Sequence, residues 1–192
     1  MSVILRPNCP PSELMHLTCA AAVALCDAVE KSCCFRPGIK WTNDLVFGQR
    51  KLAGILTELG FNARGLVDWA IVGMGINCTQ EESHFPEEIR SMAGSLASVS
   101  GQSIDRATVA AAMMDAMYRM DLTQKAKILN QYRADCITLG KEISLVRADG
   151  KSHHGTALDI DEEGALVVRL SDGHIEIVNS GEVSIRGMYG YV

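Results

Sequence analysis

Apolar residues recur at two different spacings along this chain, and the change from one to the other outlines its elements. Residues 2–7 alternate and end at Pro7, which predicts a short strand. Pro10-Pro11-Ser12 predicts a helix start, with Ser12 as N-cap and Glu13 in the first turn. Leu14, Leu17, Ala21, Ala24, Leu25 and Ala28 fall on one face of that helix, which runs to about Lys31. Alternation returns in two short strands, Gly38 to Trp41 and Leu45 to Phe47, around an Asn43-Asp44 turn. A longer strand follows from Lys51 to about Leu59, then a hairpin loop over Gly60 to Gly65 and a strand from Leu66 to Asn77. The polar run Thr79 to Ser83 predicts a loop, and Pro86 suits the first turn of a short helix ending before Gly101. Asp105 is placed to cap a longer helix reaching about Cys136, with Met113, Met117 and Met120 as core filler. From Leu139 the pattern changes to short alternating segments separated by Asp149-Gly150, Glu163-Gly164 and Asp172-Gly173. That texture predicts a small β-barrel over 139–192, and the strands mixed with helices before it make the class α+β.

Composition narrows the function classes. A length of 192 residues with 47% hydrophobic content fits one folded domain with a small appendage. The longest apolar run read as helix, Ala20 to Leu25, is too short to span a membrane, and no signal peptide is visible. Net charge is −5, mostly from Leu139 onward, and no basic patch is present, so no DNA binding is expected. The seven cysteines include no Cys-x-x-Cys pair. Cys19, Cys26 and Cys33 would share one helix face, more in keeping with small buried thiols in a reducing cytoplasm than with a metal site or a disulfide.

Candidate chemistry lies between Lys40 and Asn77. Strand side chains alternate between faces, so Gly73, Gly75 and Asn77 share one face. Two absent side chains leave a flat floor on which a ligand can approach the backbone. Lys40 and Lys51 stand at either end of a short hairpin, and two ammonium groups near such a floor suit a small, partly apolar acid and a phosphate. Strict alternation places Lys51, Ala53, Ile55 and Thr57 together, with Lys51 toward the ligand and Ile55 beneath it. Each residue also has a plain structural role open to it. The lysines can be solvated hairpin residues, Asn43 and Asp44 turn formers, Asn77 a strand-end cap and Arg186 a surface arginine. Gly150-Lys151-Ser152 lacks the earlier glycine of a phosphate-binding loop, since that position is Leu145.

Three motifs carry a resemblance to a family. Lys40-Trp41-Thr42-Asn43-Asp44, Lys51-Leu52-Ala53-Gly54-Ile55-Leu56 and Gly73-Met74-Gly75-Ile76-Asn77, in this order, resemble the biotin–protein ligases. The end of the chain, Ser180-Gly181-Glu182-Val183-Ser184-Ile185-Arg186, is similar to the family's closing strand. The resemblance implies a class II synthetase-like, biotin/lipoate ligase core with a mixed sheet and helices over 1–138, then an SH3-like β-barrel over 139–192. It implies ATP-dependent activation of biotin to biotinyl-5′-adenylate and transfer to a lysine of a biotin carboxyl carrier protein. Carried over by motif position, Lys51 meets the biotin carboxylate, beside Ile55, Gly73 and Gly75. Lys40, Asn43, Asp44, Asn77 and Arg186 border the nucleotide, with Asp44 able to hold Mg²⁺. Lys51 and Lys40 are the catalytic pair. Thr42 stands where the family usually has proline. The family's Gly-Arg-rich loop, which closes over biotin and the adenylate, normally precedes the strand at 2–7, so the chain is expected to hold only part of the catalytic domain. A non-catalytic binding or structural homologue and a lipoate-attaching relative stay open beside the ligase, and a homodimer is an open assembly.

Overall fold

The computed structural model describes residues 1–147 and 150–179, and the backbone of 183–187. Two five-stranded sheets organise it. The first contains β1 (Ser2–Leu5), β2 (Gly38–Lys40), β3 (Asp44–Phe47), β4 (Arg50–Phe61) and β5 (Val67–Ile76), in the order β1-β5-β4-β3-β2. Every pairing in it is antiparallel, which corrects the expected mixed sheet. Short turns join β2 through β5 one after another, and such turns can only return the chain antiparallel.

One face of this sheet is covered by α1 (Leu17–Cys33), which also packs on α3 (Arg106–Arg119) and α4 (Lys125–Asp135). All six residues expected on its buried face are buried, five of them on α1 and Leu14 in the turn before it. Cys19, Ala20, Ala22, Cys26, Val29 and Cys33 are buried as well, so the helix is enclosed almost all round. The stretch Pro11–Cys33 is apolar and long enough to cross a membrane by composition, contrary to the reading taken from Ala20–Leu25. Here 67% of that window is buried inside the protein, as befits its central helix. All seven thiols are free, and burial pushes that of Cys19 up to about 12.

Three helix assignments differ from expectation. Ser12 is not an N-cap, because Pro11–Glu13 forms a single 3-10 turn and α1 begins only after His16. The helix expected from Asp105 to Cys136 is two. Asp105 does cap α3, accepting from the N–H groups of Ala107 and Thr108. The break follows Arg119, where the Asp121 carboxylate accepts from the Thr123 N–H and hydroxyl and closes a local turn that competes with the helix. The short helix before Gly101 is α2 (Leu96–Ser100), with Gly101 left-handed at its end, but it starts at Leu96 and not at Pro86, which lies in the turns before it.

The second sheet contains β6 (Glu142–Arg147), β7 (Ser152–Ile160), β8 (Leu166–Leu170), β9 (Ile175–Val178) and β10 (Val183–Gly187), ordered β10-β6-β7-β8-β9. The expected barrel is, among the described residues, an open antiparallel sheet with β9 and β10 at its edges. Asp149 and Ser180 to Glu182 lie outside the described residues. Ile143, Leu145, Ala157, Ile160, Leu166, Val168 and Val178 join one continuous core with α1 and the first sheet.

Candidate functional site

The uncovered face of the first sheet carries the glycines. Val72 and Met74 of β5 point into the core at 0% and 3% exposure, so Gly73 and Gly75 face outward. Register places Gly75 opposite Gly54 and Gly73 opposite Leu56. A Cβ at Gly75 would meet only the Gly54 carbonyl, at 4.0 Å, and one at Gly73 would come no closer than 3.6 Å to anything. The fold itself leaves room for side chains here, so these glycines are not needed for packing. They leave a bare floor, and the adjacent Leu56 stays 63% exposed as its apolar margin.

Lys51 reaches this floor through a β-bulge. Leu45 pairs with Ala53 and Val46 with Lys51, so Leu52 has no residue opposite it. Leu52 and Ala53 consequently both face the core, at 1% and 3% exposure. The alternation is reset, and the Lys51 Nζ lies 3.5 Å from where a Gly54 Cβ would be. This corrects the expected face: Lys51 stands with Gly54 and Leu56, whereas Ile55 is 2% exposed with its side chain in the core. Ile55 borders the cavity and bonds the turn instead, its N–H donating to Asn43 O at 2.9 Å and its carbonyl accepting from Asn43 Nδ2 at 2.7 Å.

Two cavities meet at Lys51, Gly54 and Gly75. One, of about 440 Å³, is bordered by Met1, Ser2, Asn43, Asp44, Leu56 and Gly73. The other, of about 640 Å³, has an apolar wall of Phe85, Ile89, Met92 and Ala93 and includes Asn77. Both are of a size that holds small molecules. That apolar wall was missed in the sequence, where 79–83 reads as loop and Pro86 as a helix start. Its position depends on long-range bonds. Lys51 N–H donates to Met92 O, Gly94 N–H to Lys51 O, and Asn77 Nδ2 to Gly94 O. Gly94 is required for this approach, because a Cβ there would come within 2.9 Å of the Arg50 side chain.

The charges converge where the cavities join. Lys51 Nζ lies 2.5 Å from Asp44 Oδ1. Lys40 pairs with Asp44 across the β2–β3 ladder. Burial lowers its ammonium to about 8, Asp44 opposes that shift and Lys51 adds to it. Two ammonium groups and one carboxylate thus share a half-buried corner between a bare floor and an apolar wall. Such a corner can take an anionic ligand with a flat or apolar remainder. Asn43, Asp44, Lys51, Gly73 and Gly75 border one cavity, with Asn77 at the neighbouring cleft, whereas Lys40 borders neither and is linked to them through Asp44. Arg186 stands on β10 opposite Ser144, and its side chain lies outside the described part of the structure.

Fold and site define an α+β protein with an open pocket whose corner gathers ammonium groups and a carboxylate beside a glycine floor. Residues 1–77 match the Biotin/lipoate A/B protein ligase family, and residues 138–186 match the Biotin protein ligase C terminal domain. The chain belongs to the biotin protein ligase family. It is 33% identical over 191 residues to the bifunctional ligase/repressor BirA of Bacillus spizizenii, covering 96% of this chain and 57% of that protein. It is 30% identical to the biotin–[acetyl-CoA-carboxylase] ligase of Mycobacterium tuberculosis, covering 87% of this chain and 61% of that one. The biotin protein ligase of Aquifex aeolicus, solved in complex with biotin and ATP, superposes with a TM-score of 0.79 at 26% identity, over 97% of this chain and 77% of that one. The chain therefore spans about three-fifths of the length of these two curated relatives.

Proposed function

We propose that this chain carries the adenylation site of a biotin–protein ligase, which condenses biotin with ATP to biotinyl-5′-adenylate and pyrophosphate. Biotin then passes to a lysine of a biotin carboxyl carrier protein. One observation carries this reading: Lys51 lies over the Gly54 position of a floor whose three glycines the fold does not itself require. A ring system resting on that floor places its carboxylate at Lys51. The ammonium has three donors, so it can donate to a ligand carboxylate while keeping Asp44. Lys40, Asn43 and Asp44 then border the phosphates. Asn77 and the wall of Phe85 and Met92 suit a flat base. The first step must bring a carboxylate to a triphosphate, and fixed cations lower the barrier by positioning and by offsetting charge. Mg²⁺ takes one or two carboxylates plus phosphate oxygens. The described residues hold no cluster of three metal-ligating groups, and Asp44 is the carboxylate bordering the 440 Å³ cavity, so it would serve. The ion, when bound, neutralises the phosphates.

Residues 1–138 are assigned to the catalytic domain in this proposal and 139–192 to the C-terminal domain, with Arg186 on the nucleotide side. The free thiols suit a reducing cytoplasm. A match of 138–186 to the biotin ligase C-terminal domain favours biotin over lipoate.

Incubation with biotin and ATP should yield biotinyl-adenylate and pyrophosphate, and calorimetry should detect both ligands. Failure to bind either one would end the proposal. Nucleotide binding should also depend on pH in a specific way. Lys40 is charged below about 8 and loses its proton as pH rises through that value, roughly two units earlier than a solvated lysine. Bound phosphate favours the ammonium, so binding near pH 8 should take up a fraction of a proton. Heats measured in two buffers of different ionisation enthalpy report that uptake. Equal heats would remove Lys40 from the phosphate side.

A further inference from the structure

β2 is an edge strand, yet its outer side is not bare. The linker that follows α4 lies along it. Ile39 and Cys136 form an isolated parallel bridge, and Ile137 N–H donates to Ile39 O at 2.9 Å. The approach is close, since a Cβ at Gly38 would sit 2.4 Å from the Ile137 side chain. Beyond Lys40 the contacts continue. Trp41 N–H donates to Thr138 Oγ1 at 2.9 Å. The Trp41 indole Nε1 donates to Gly164 O at 3.0 Å, in the turn between β7 and β8 of the second sheet. Tyr132 Oη, on α4, donates to Thr42 O at 2.8 Å. Trp41 is 5% exposed and Tyr132 0%. Arg133 ties the same helix to the second sheet, donating to Ile160 O through Nε and Nη2.

Lys40 is thus held from both sides. The β3 ladder fixes it on one, and α4, the linker and the second sheet fix the next two residues on the other. We propose that Trp41 and Tyr132 are positioning residues, through which the second sheet and its linker set the place of the Lys40–Asp44 turn in the site. This rests on the reading of that turn as the phosphate side. Both side chains are buried and bond backbone carbonyls of neighbouring segments, so they act on the site through the turn and not on a ligand. A buried indole N–H and a buried phenol each need a partner, and here both partners are backbone carbonyls of segments that must stay in register.

Trp41→Phe keeps a buried ring and removes the donor to Gly164. Tyr132→Phe removes the donor to Thr42. Each should raise the Kd for ATP about tenfold, the scale of one net hydrogen bond lost from the support of the turn. Biotin affinity, set at Lys51 and the glycine floor, should stay within about twofold of the parent. A second readout needs no nucleotide: the rate of acetylation of the Lys40 amine at one fixed pH, read by mass spectrometry. It should rise severalfold as the loosened turn gains solvent. A residue that only supports the fold would lower Tm without changing that rate or separating the two affinities. Folded variants with parental ATP affinity and parental Lys40 acetylation rate would overturn the proposal. A raised rate in a protein that does not bind ATP would keep the clamp and discard the nucleotide reading. If Trp41→Phe does not fold, Tyr132→Phe decides alone.

Discussion

Lys51→Ala is expected to weaken biotin binding about 10- to 150-fold, the range of one charge-assisted hydrogen bond worth roughly 1.5–3 kcal/mol. The ammonium is the group that the β-bulge turns toward Gly54, and its removal leaves a ligand carboxylate unpaired in a partly desolvated corner. Adenylate formation should fall further, by up to another ~100-fold, because the carboxylate also loses its orientation for attack. Asp44 loses its ion pair with Lys51 in the same variant, so folding must be checked by circular dichroism. Lys151→Ala, on the turn before β7, serves as the control and should change little. Near-parental biotin affinity and adenylation rate in a folded Lys51→Ala protein would contradict the assignment.

Gly75→Val is expected to separate folding from binding. Its Cβ would meet nothing nearer than 4.0 Å, and valine is favoured over glycine in a strand by up to about 1 kcal/mol. Thermal stability should therefore be kept or raised. The same side chain would stand up from the floor into the space assigned to the ligand. Overpacking of that kind costs about 1–3 kcal/mol, or roughly 5- to 150-fold in affinity. Gly155→Ala makes the reverse comparison. A Cβ there would come 2.7 Å from the Arg169 carbonyl, so it should destabilise the second sheet and leave biotin affinity of the folded fraction unchanged. Unimpaired biotin binding by Gly75→Val would show that the floor is not the ligand surface.

Much of the site is local in origin and could be read directly from the chain. Gly73 and Gly75 share a face because a strand has period two, and the two lysine motifs flank one hairpin. Asp105 caps its helix because the rule concerns only the residues that follow it. The buried face of α1 follows from its spacing. None of these depends on knowing which segments meet.

Tertiary pairing decided the rest. Lys51 faces the floor and Ile55 the core because a bulge opposite Leu45 and Val46 resets the alternation, and a bulge arises from the match between two strands. The apolar wall of Phe85, Ile89, Met92 and Ala93 stands where it does because the loop bonds to Lys51 and Asn77. Asn77 accordingly does what a strand-end cap does while bordering the cleft. The expected helix breaks after Arg119 because Asp121 offers Thr123 a competing set of bonds. The second sheet reaches the Lys40–Asp44 turn directly through Trp41, which lies 123 residues from its partner Gly164. Local propensity and periodicity act over a few residues and determined which side chains were available to the site. Register, bulges and long-range hydrogen bonds determined which of them face one another.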